Sequence, residues 1–179
     1  MTIITNKPKV TFIHIPKNAG TSISQWLVTR EKGKWSFENH HGGKHWTLDQ
    51  MRRVATEDLG ITFCCVRNPW DRLVSAFHYY KKQKKFNNRT FPEFIKGKDW
   101  HQVSKPQTAY FDEQTIILRY ENLKEDFQQI QKLYGNHLGL PRSNRSVHGT
   151  FQKYYTDELV DIVAQRHKSD IERFGYKFE

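Results

Sequence analysis

A lysine, a glycine and two hydroxyl residues follow an apolar run near the start of the chain, in the segment Ile15-Pro-Lys-Asn-Ala-Gly-Thr-Ser22. The lysine supplies a positive charge, and the threonine and serine supply hydroxyl donors. The first N–H groups of a helix have no partners within it, and the helix dipole also favours negative charge. Such a loop at a helix start would bind a phosphate-like anion. The alternative interpretation is an ordinary strand-to-helix turn with a solvated lysine.

The residues on either side of this segment predict the elements that position it. An apolar run of strand length comes before the loop, and apolar residues recur at helical spacing after it. The strand residues are Val10, Phe12, Ile13 and Ile15, and the helix residues are Ile23, Trp26, Leu27 and Arg30. Pro16 and Gly20 interrupt the pattern between them. The order strand, loop, helix is therefore predicted.

A second junction of the same kind follows the apolar run Ile61–Val66, whose continuous apolar character is typical of a strand buried on both faces. Arg67 would lie at the carboxyl end of this strand, and Ser75 two turns into the next helix. Both would face the crevice where open α/β sheets bind ligands. A guanidinium fork and a hydroxyl can bind phosphate. The alternative is an Arg67 pair with a nearby carboxylate such as Asp71.

Together the two junctions resemble the sulfotransferase family, in particular its carbohydrate branch of Golgi-type and heparan-like enzymes. Ile15–Ser22 is similar to the family's 5′-phosphosulfate loop, and Val66–Ala76 to its 3′-phosphate motif. The resemblance continues through Leu118–Leu123 and Asp170–Tyr176. It implies an α/β fold in which residues 1–179 form a single domain. Its short, mostly parallel sheet would be flanked by helices and carry a phosphate loop like that of nucleotide kinases.

The resemblance also implies an activity of the EC 2.8.2 type. The enzyme would transfer a sulfuryl group from 3′-phosphoadenosine 5′-phosphosulfate (PAPS) to an acceptor hydroxyl on a carbohydrate, leaving 3′-phosphoadenosine 5′-phosphate (PAP). The implied 5′-phosphosulfate contacts are Pro16, Lys17, Asn18, Ala19, Gly20, Thr21 and Ser22, and the 3′-phosphate contacts are Arg67 and Ser75. Arg145 lies in a polar loop, Ser143–Ser146, that is similar to a family loop near the nucleotide.

Sulfuryl transfer also needs a base for the acceptor proton and stabilisation of the leaving phosphate. Lys17 would supply the second. His45 is the first choice of base, because His45-Trp-Thr-Leu-Asp49 resembles the place where one branch of the family carries its catalytic histidine. Other branches use a glutamate in the comparable loop, which makes Glu38 the alternative, followed by His40 and His41. The histidines match no usual zinc spacing, so no metal is expected.

The charge of the chain bears on its partners. Lys and Arg number 29 against 19 Asp and Glu, a formal net charge of +10. Such a field attracts anions, so an acidic acceptor would be favoured, whereas a nucleic-acid partner is not expected. Two rival classes remain. A phosphotransferase of the kinase type would need the Gly-x-x-x-x-Gly-Lys-Ser/Thr pattern, which this sequence lacks. A non-catalytic polyanion-binding module would not need Lys17 in particular.

The remaining patterns predict further elements and a compartment. Cys64 and Cys65 are expected to be buried thiols. The sequence carries neither a signal-peptide pattern nor an apolar stretch of membrane-spanning length, so a cytoplasmic protein is expected.

Capping patterns predict four further helices. One spans 48–54 and is capped by Thr47, one is capped by Thr90 and Glu93, one is capped by Asn122 with Glu125 and stopped by Gly139 and Pro141, and the last begins at Thr156. A loop over the active site is predicted at 99–109 and a strand at 115–119.

Overall fold

The structure, a computed structural model, describes residues 2–31, 45–83, 89–97, 103–135, 139–141 and 149–179, without the side chains of residues 30 and 31. Its contacts divide the chain into two compact units. The first is Met1–Val66 with Ala109–Asn144, and the second is Arg67–Thr108 with Arg145–Glu179. That residues 1–179 act as a single domain stays a prediction.

The first unit contains a four-stranded sheet with the spatial order β1-β2-β3-β4. Its strands are β1 (Ile3–Asn6), β2 (Lys9–Ile13), β3 (Ile61–Val66) and β4 (Ile116–Arg119). The β2–β3 and β3–β4 pairs are parallel, and β1 pairs antiparallel with β2. The fold is therefore α/β with a short, mostly parallel sheet flanked by helices, as predicted. The strand β1 was not predicted, because four residues before a tight turn carry little periodicity.

The middle of the sheet is as deeply buried as the apolar run of β3 indicates. Phe63 pairs with Phe12 on one side and with Ile116 on the other. Cys64 and Cys65 are buried thiols that form no disulfide, which confirms the prediction for both. A strand with parallel neighbours on both sides is normally covered on both faces, and its sequence is then apolar throughout.

Helices α1 (Gly20–Glu31) and α2 (Leu48–Val54) belong to the first unit. Trp26 of α1 lies edge-on to Phe127, with ring centroids 5.0 Å apart, so α1 and the segment after β4 contribute to one apolar core. The other buried members of that core are Ile3, Val10, Phe12, Ile23, Leu27, Phe63, Cys65, Leu118 and Ile130. Thr47 caps α2 in a capping box with Gln50, as its position predicted.

The segment after β4 corrects one prediction. Instead of one helix capped by Asn122, it forms a 3₁₀ turn and two short helices, α5 (Leu123–Asp126) and α6 (Gln128–Leu133). Asn122 makes no side-chain cap. The carboxylate of Asp126 accepts a hydrogen bond from the backbone N–H of Arg119 at 2.7 Å, which favours a turn at this point. The helix also ends at Leu133, before the predicted stop at Gly139 and Pro141.

The second unit is helical: α3 (Pro69–Lys82), α4 (Phe91–Lys96), α7 (Asp157–Arg166) and α8 (Lys168–Phe174). The predicted capping box of Thr90 and Glu93 is present at the start of α4. Helix α7 begins where Thr156 predicted but is not the last, because α8 follows it after His167. Aromatic side chains pack between these elements, with Phe91 4.9 Å from Tyr155 and 5.4 Å from Phe77 between ring centroids.

Candidate functional site: the β2–α1 loop and the Arg67 cluster

Residues 14–20, called here the β2–α1 loop, connect the end of β2 to the start of α1. Lys17 and Ala19 adopt φ angles of 72° and 57°, a left-handed conformation that side chains other than glycine rarely take. Each such residue costs on the order of 1–3 kcal/mol and persists only where its surroundings fix it, often at ligand sites. Asn18, 1% exposed, lies between them, and its Nδ2 donates to the carbonyl of Cys65 at 2.8 Å. That bond ties the loop to β3.

Gly20, the first residue of α1, allows a close approach. A Cβ atom at this position would lie 1.8 Å from Nε2 of His14, so any side chain here would collide with the imidazole. His14 is 7% exposed, and its ring stacks on Phe12 with centroids 5.7 Å apart. The glycine is therefore required by the neighbouring ring. His14 was not among the predicted residues, since nothing in the sequence indicates that its side chain folds back over the helix start.

The start of α1 has the features of an anion site. Its first turn carries no acidic residue, and its N–H groups follow directly on the loop. Thr21 is exposed and Ser22 is largely buried, while Lys17 is half-buried and Pro16 is buried. A cation, hydroxyl donors and helix N–H groups in one short segment can bind a phosphate or sulfate group.

His45 lies just before α2, as predicted, and contacts the β2–α1 loop. Its Nδ1 is 3.0 Å from the carbonyl oxygen of His14, and the two imidazole rings meet edge-on with centroids 4.6 Å apart. Because a carbonyl oxygen can only accept, a neutral His45 carries its proton on Nδ1 and its lone pair on Nε2. A histidine held in this tautomer can accept a proton at Nε2.

The other predicted acid–base candidates and one predicted nucleotide contact lie outside the described residues. These are Glu38, His40, His41 and Arg145. Their proposed roles stay predictions.

Arg67 begins the second unit, directly after β3. Its side chain is 5% exposed, and its Nε lies 2.7 Å from Oδ2 of Asp71. The sequence left open a pair with Asp71 or a role in binding phosphate, and the structure contains the pair. A guanidinium has five donors, so a bond at Nε orients the group without using its terminal nitrogens. Ser75, 4% exposed, follows in α3, whose N-cap is Asn68.

Gln107 and Asp170 join Arg67 and Asp71 in what we call the Arg67 cluster. Gln107 is fully buried in a 3₁₀ turn, Gln107–Tyr110, at the end of the segment predicted as a loop over the active site. Its side-chain amide accepts a hydrogen bond from the N–H of Arg67 and donates one to the Arg67 carbonyl. The backbone N–H of Gln107 donates to Asp170 at 2.9 Å. The Gln107 amide therefore fills a polar position in the interior, and the role of this segment as a loop over the active site stays a prediction.

Asp170 is a fully buried carboxylate of α8. Burial by itself raises the pKa of Asp170, but the His167 imidazole, whose Nδ1 lies 3.4 Å from Oδ2, and hydrogen bonds from the backbone N–H groups of Gln107 and Thr108 outweigh it, and the pKa lies below the ordinary value. Burial lowers the pKa of His167. The sequence indicated Asp170 only as part of a C-terminal resemblance, and nothing in it pointed to Gln107.

No group of three or more His, Cys, Asp or Glu side chains in the described part of the chain is arranged to hold a metal ion. None of the helices in that part has both the length and the apolar character that a bilayer span requires.

Comparison with known proteins decides the family. The model of the sulfotransferase family matches residues 1–177. The chain belongs to the sulfotransferase family. Membership of this family, on a fold that matches a solved sulfotransferase, makes the protein a transferase of the EC 2.8.2 class.

Relatives of this sulfotransferase are distant. An uncharacterized protein of Archaeoglobus fulgidus is 36% identical over 116 residues, which cover 62% of this chain and 80% of that protein. The crystal structure of mouse sulfotransferase SULT7A1 complexed with PAP is 14% identical and superposes with a TM-score of 0.60, covering 94% of this chain and 86% of the mouse chain. A sulfotransferase from Alicyclobacillus acidocaldarius, 14% identical, gives a TM-score of 0.42 and covers 73% and 60% of the two chains. The mouse structure supports the fold assignment.

Proposed function

We propose that this sulfotransferase transfers a sulfuryl group from PAPS to an acceptor hydroxyl on a carbohydrate. The observation that carries the proposal is the β2–α1 loop. It holds two left-handed residues beside a buried asparagine, at the start of a helix with no acid in its first turn. The mouse sulfotransferase with the same fold was solved as a complex with PAP, which supports PAPS as the donor.

In this proposal, residues 16–22 bind the 5′-phosphosulfate. Sulfuryl transfer leaves negative charge on the departing phosphate, and groups already aimed at that charge stabilise the transition state most effectively. Lys17 and the first N–H groups of α1 are such groups. One preorganised donor of this kind contributes about 3 kcal/mol to a transition state.

Arg67 and Ser75 bind the 3′-phosphate in this proposal. A guanidinium suits phosphate because its donors form a planar fork. The bond from Nε to Asp71, 2.7 Å long, orients this guanidinium. Arg145 is proposed as a further contact by family resemblance alone.

His45 is the proposed general base. The carbonyl of His14, 3.0 Å from Nδ1, favours the tautomer in which Nε2 can take the proton of the acceptor hydroxyl. A positioned base typically adds about 10²- to 10⁴-fold to the rate. Glu38 remains the alternative base, with His40 and His41 behind it. The proposed reaction uses no metal, because fixed cationic side chains can carry the charge on the leaving phosphate.

The acceptor class rests on resemblance to the carbohydrate branch of the family. The net charge of +10 would favour an acidic glycan over a neutral one, and no nucleic-acid partner is proposed. We also propose that residues 1–179 act as one sulfotransferase domain, because the family model extends across both compact units.

The donor site is tested by calorimetric titration with PAP, ADP and magnesium-ATP at moderate salt, repeated with Arg67→Ala. Tight binding of PAP alone, weakened in the variant, is expected. Arg53→Ala is the matched control, because Arg53 also forms a pair with an aspartate four residues away, Asp49, but is 75% exposed. Equal binding of all three nucleotides, or preference for magnesium-ATP, would exclude the PAPS assignment and favour a polyanion binder or a kinase.

The acceptor is tested separately by measuring PAP release from PAPS with sulfated and unsulfated oligosaccharides, a tyrosine peptide and a small phenol. Transfer to the oligosaccharides is expected. Transfer to the peptide or the phenol alone would replace the carbohydrate assignment while leaving the donor assignment standing.

A further inference from the structure

The backbone of Arg67 is held by a side chain 40 residues further along the chain. The Oε1 atom of Gln107 accepts from the N–H of Arg67 at 2.9 Å, and its Nε2 donates to the Arg67 carbonyl at 2.9 Å. One amide therefore satisfies both backbone groups of a single residue, as a neighbouring strand would. The β3–β4 ladder ends one residue earlier, where Val66 pairs with Arg119. The Gln107 amide therefore bonds the residue that directly follows the last paired residue of β3.

The orientation of the Gln107 amide follows from its partners. Its Nε2 faces two groups that can only accept, the Arg67 carbonyl and Oδ2 of Asp170, which lies 3.1 Å away. The reversed amide would place an oxygen against both acceptors. Asp170 in turn accepts from the backbone N–H groups of Gln107 and Thr108, each at 2.9 Å. Since Gln107 and Asp170 are both fully buried, water cannot replace these bonds.

Arg67 is consequently fixed at two points. Gln107 fixes its backbone, and Asp71 fixes its Nε at 2.7 Å. A long arginine side chain loses much rotational freedom when it binds an anion, and a side chain ordered in advance loses less. A guanidinium fixed in this way also discriminates between phosphate positions. It cannot move to reach a phosphate that lies elsewhere on the ligand.

We propose that Gln107, anchored by Asp170, is a positioning residue that gives Arg67 its selectivity for a 3′-phosphorylated nucleotide. The proposal rests on the proposed function, in which Arg67 binds the 3′-phosphate. Gln107 itself touches no ligand and acts through Arg67.

The test compares the affinities of PAP and AMP, which differ only in the 3′-phosphate. The dissociation constant of AMP divided by that of PAP, called here the AMP to PAP ratio, isolates the contribution of that group. In Gln107→Glu, an oxygen replaces Nε2 opposite the Arg67 carbonyl and Asp170, so the two hydrogen bonds that Nε2 donates are lost while the one accepted from the Arg67 N–H is kept. We expect the ratio to fall roughly tenfold, the size of one charge-assisted hydrogen bond, with AMP affinity unchanged.

Ser169→Ala is the matched control, because it removes an exposed hydrogen bond to Thr108 next to Asp170 and leaves the cluster intact. Its ratio should equal that of the wild type. Asp170→Asn is the second variant, which removes the anchoring charge and keeps the Gln107 amide, and its ratio should fall less than that of Gln107→Glu. Circular dichroism and urea unfolding identify the variants that fold.

Each outcome decides one of the two claims. If Arg67→Ala leaves the AMP to PAP ratio unchanged, the proposed 3′-phosphate contact fails first. If Arg67→Ala lowers the ratio but folded Gln107→Glu or Asp170→Asn does not, the positioning role is wrong and the proposed function stands. An equal loss of PAP and AMP affinity, or failure of both variants to fold, would assign Gln107 to stability alone and overturn the inference.

Discussion

The β2–α1 loop and the Arg67 cluster would both bind phosphate groups, but one consists mainly of backbone groups and the other of side chains. The loop is made largely of backbone: two left-handed residues, a helix start and a glycine over which the His14 ring lies. The Arg67 cluster is made of side chains: those of Arg67, Gln107 and Asp170 are buried, and that of Asp71 is 18% exposed. The loop should therefore be sensitive to atoms that are added, and the cluster to polar atoms that are removed or replaced.

This difference also separates two tasks. A backbone site adjoining a lysine suits the reacting phosphosulfate, where charge changes during transfer. A fixed arginine suits a phosphate that does not react and serves only for recognition. Variants in the loop should then change turnover, and variants in the cluster should change affinity.

The largest effect is expected for His45→Ala. The turnover number should fall about 10²- to 10⁴-fold, because the acceptor proton would lose its base, while PAP affinity stays unchanged. Steady-state kinetics together with a PAP titration measure the two quantities. Full turnover in this variant would move the role to Glu38, and the glutamate would then be tested in the same way before His40 and His41.

Lys17→Ala tests the loop as the reacting site. Turnover should fall about 10²- to 10³-fold, the usual cost of losing one group that stabilises transition-state charge, with a smaller change in PAP affinity. Lys9→Ala is the control, because Lys9 lies in the same unit and pairs with the exposed Glu57. A loss of PAP affinity as large as the loss of turnover would remove the distinction between the two regions.

Gly20→Ala tests sensitivity to an added atom. Because its Cβ would meet the His14 ring, we expect a loss of about 1–3 kcal/mol in the free energy of unfolding, measured by urea denaturation. The same change at Gly149, where the added Cβ would meet no atom of the described residues within 4 Å, should have little effect. The double variant His14→Ala with Gly20→Ala should recover most of the loss, and a single variant as stable as the wild type would contradict the collision.

The smallest effect is expected in the pH dependence of the unfolding free energy, through the buried His167 beside Asp170 of the Arg67 cluster. Burial holds the pKa of His167 below its unfolded value, so the unfolded chain takes up a proton first as pH falls below about 6.5. Stability should decrease from there downward, by at most about 1.4 kcal/mol per pH unit for one proton. His167→Gln should flatten the slope of unfolding free energy between pH 6.5 and 5. An unchanged slope would assign the pH dependence to other groups.

Local patterns predicted most of the elements. The apolar run of β3 and the helical spacing after the β2–α1 loop correspond to observed elements. Thr47 and Thr90 marked real helix starts, because a cap is a contact between residues three apart. Asn122 occupies the N-cap position of α5 without making a side-chain cap, so a suitable residue type at a helix start does not guarantee the hydrogen bond.

The order strand, loop, helix at both junctions, and the family of the chain, could be predicted from the residues alone, because periodicity and the motifs are contained within short segments. The contact of His45 Nδ1 with the His14 carbonyl and the bonds from Gln107 to Arg67 could not, because these residues lie far apart along the chain. Contacts between residues 31, 40 or 63 positions apart arise when the whole fold closes, and no local preference specifies them.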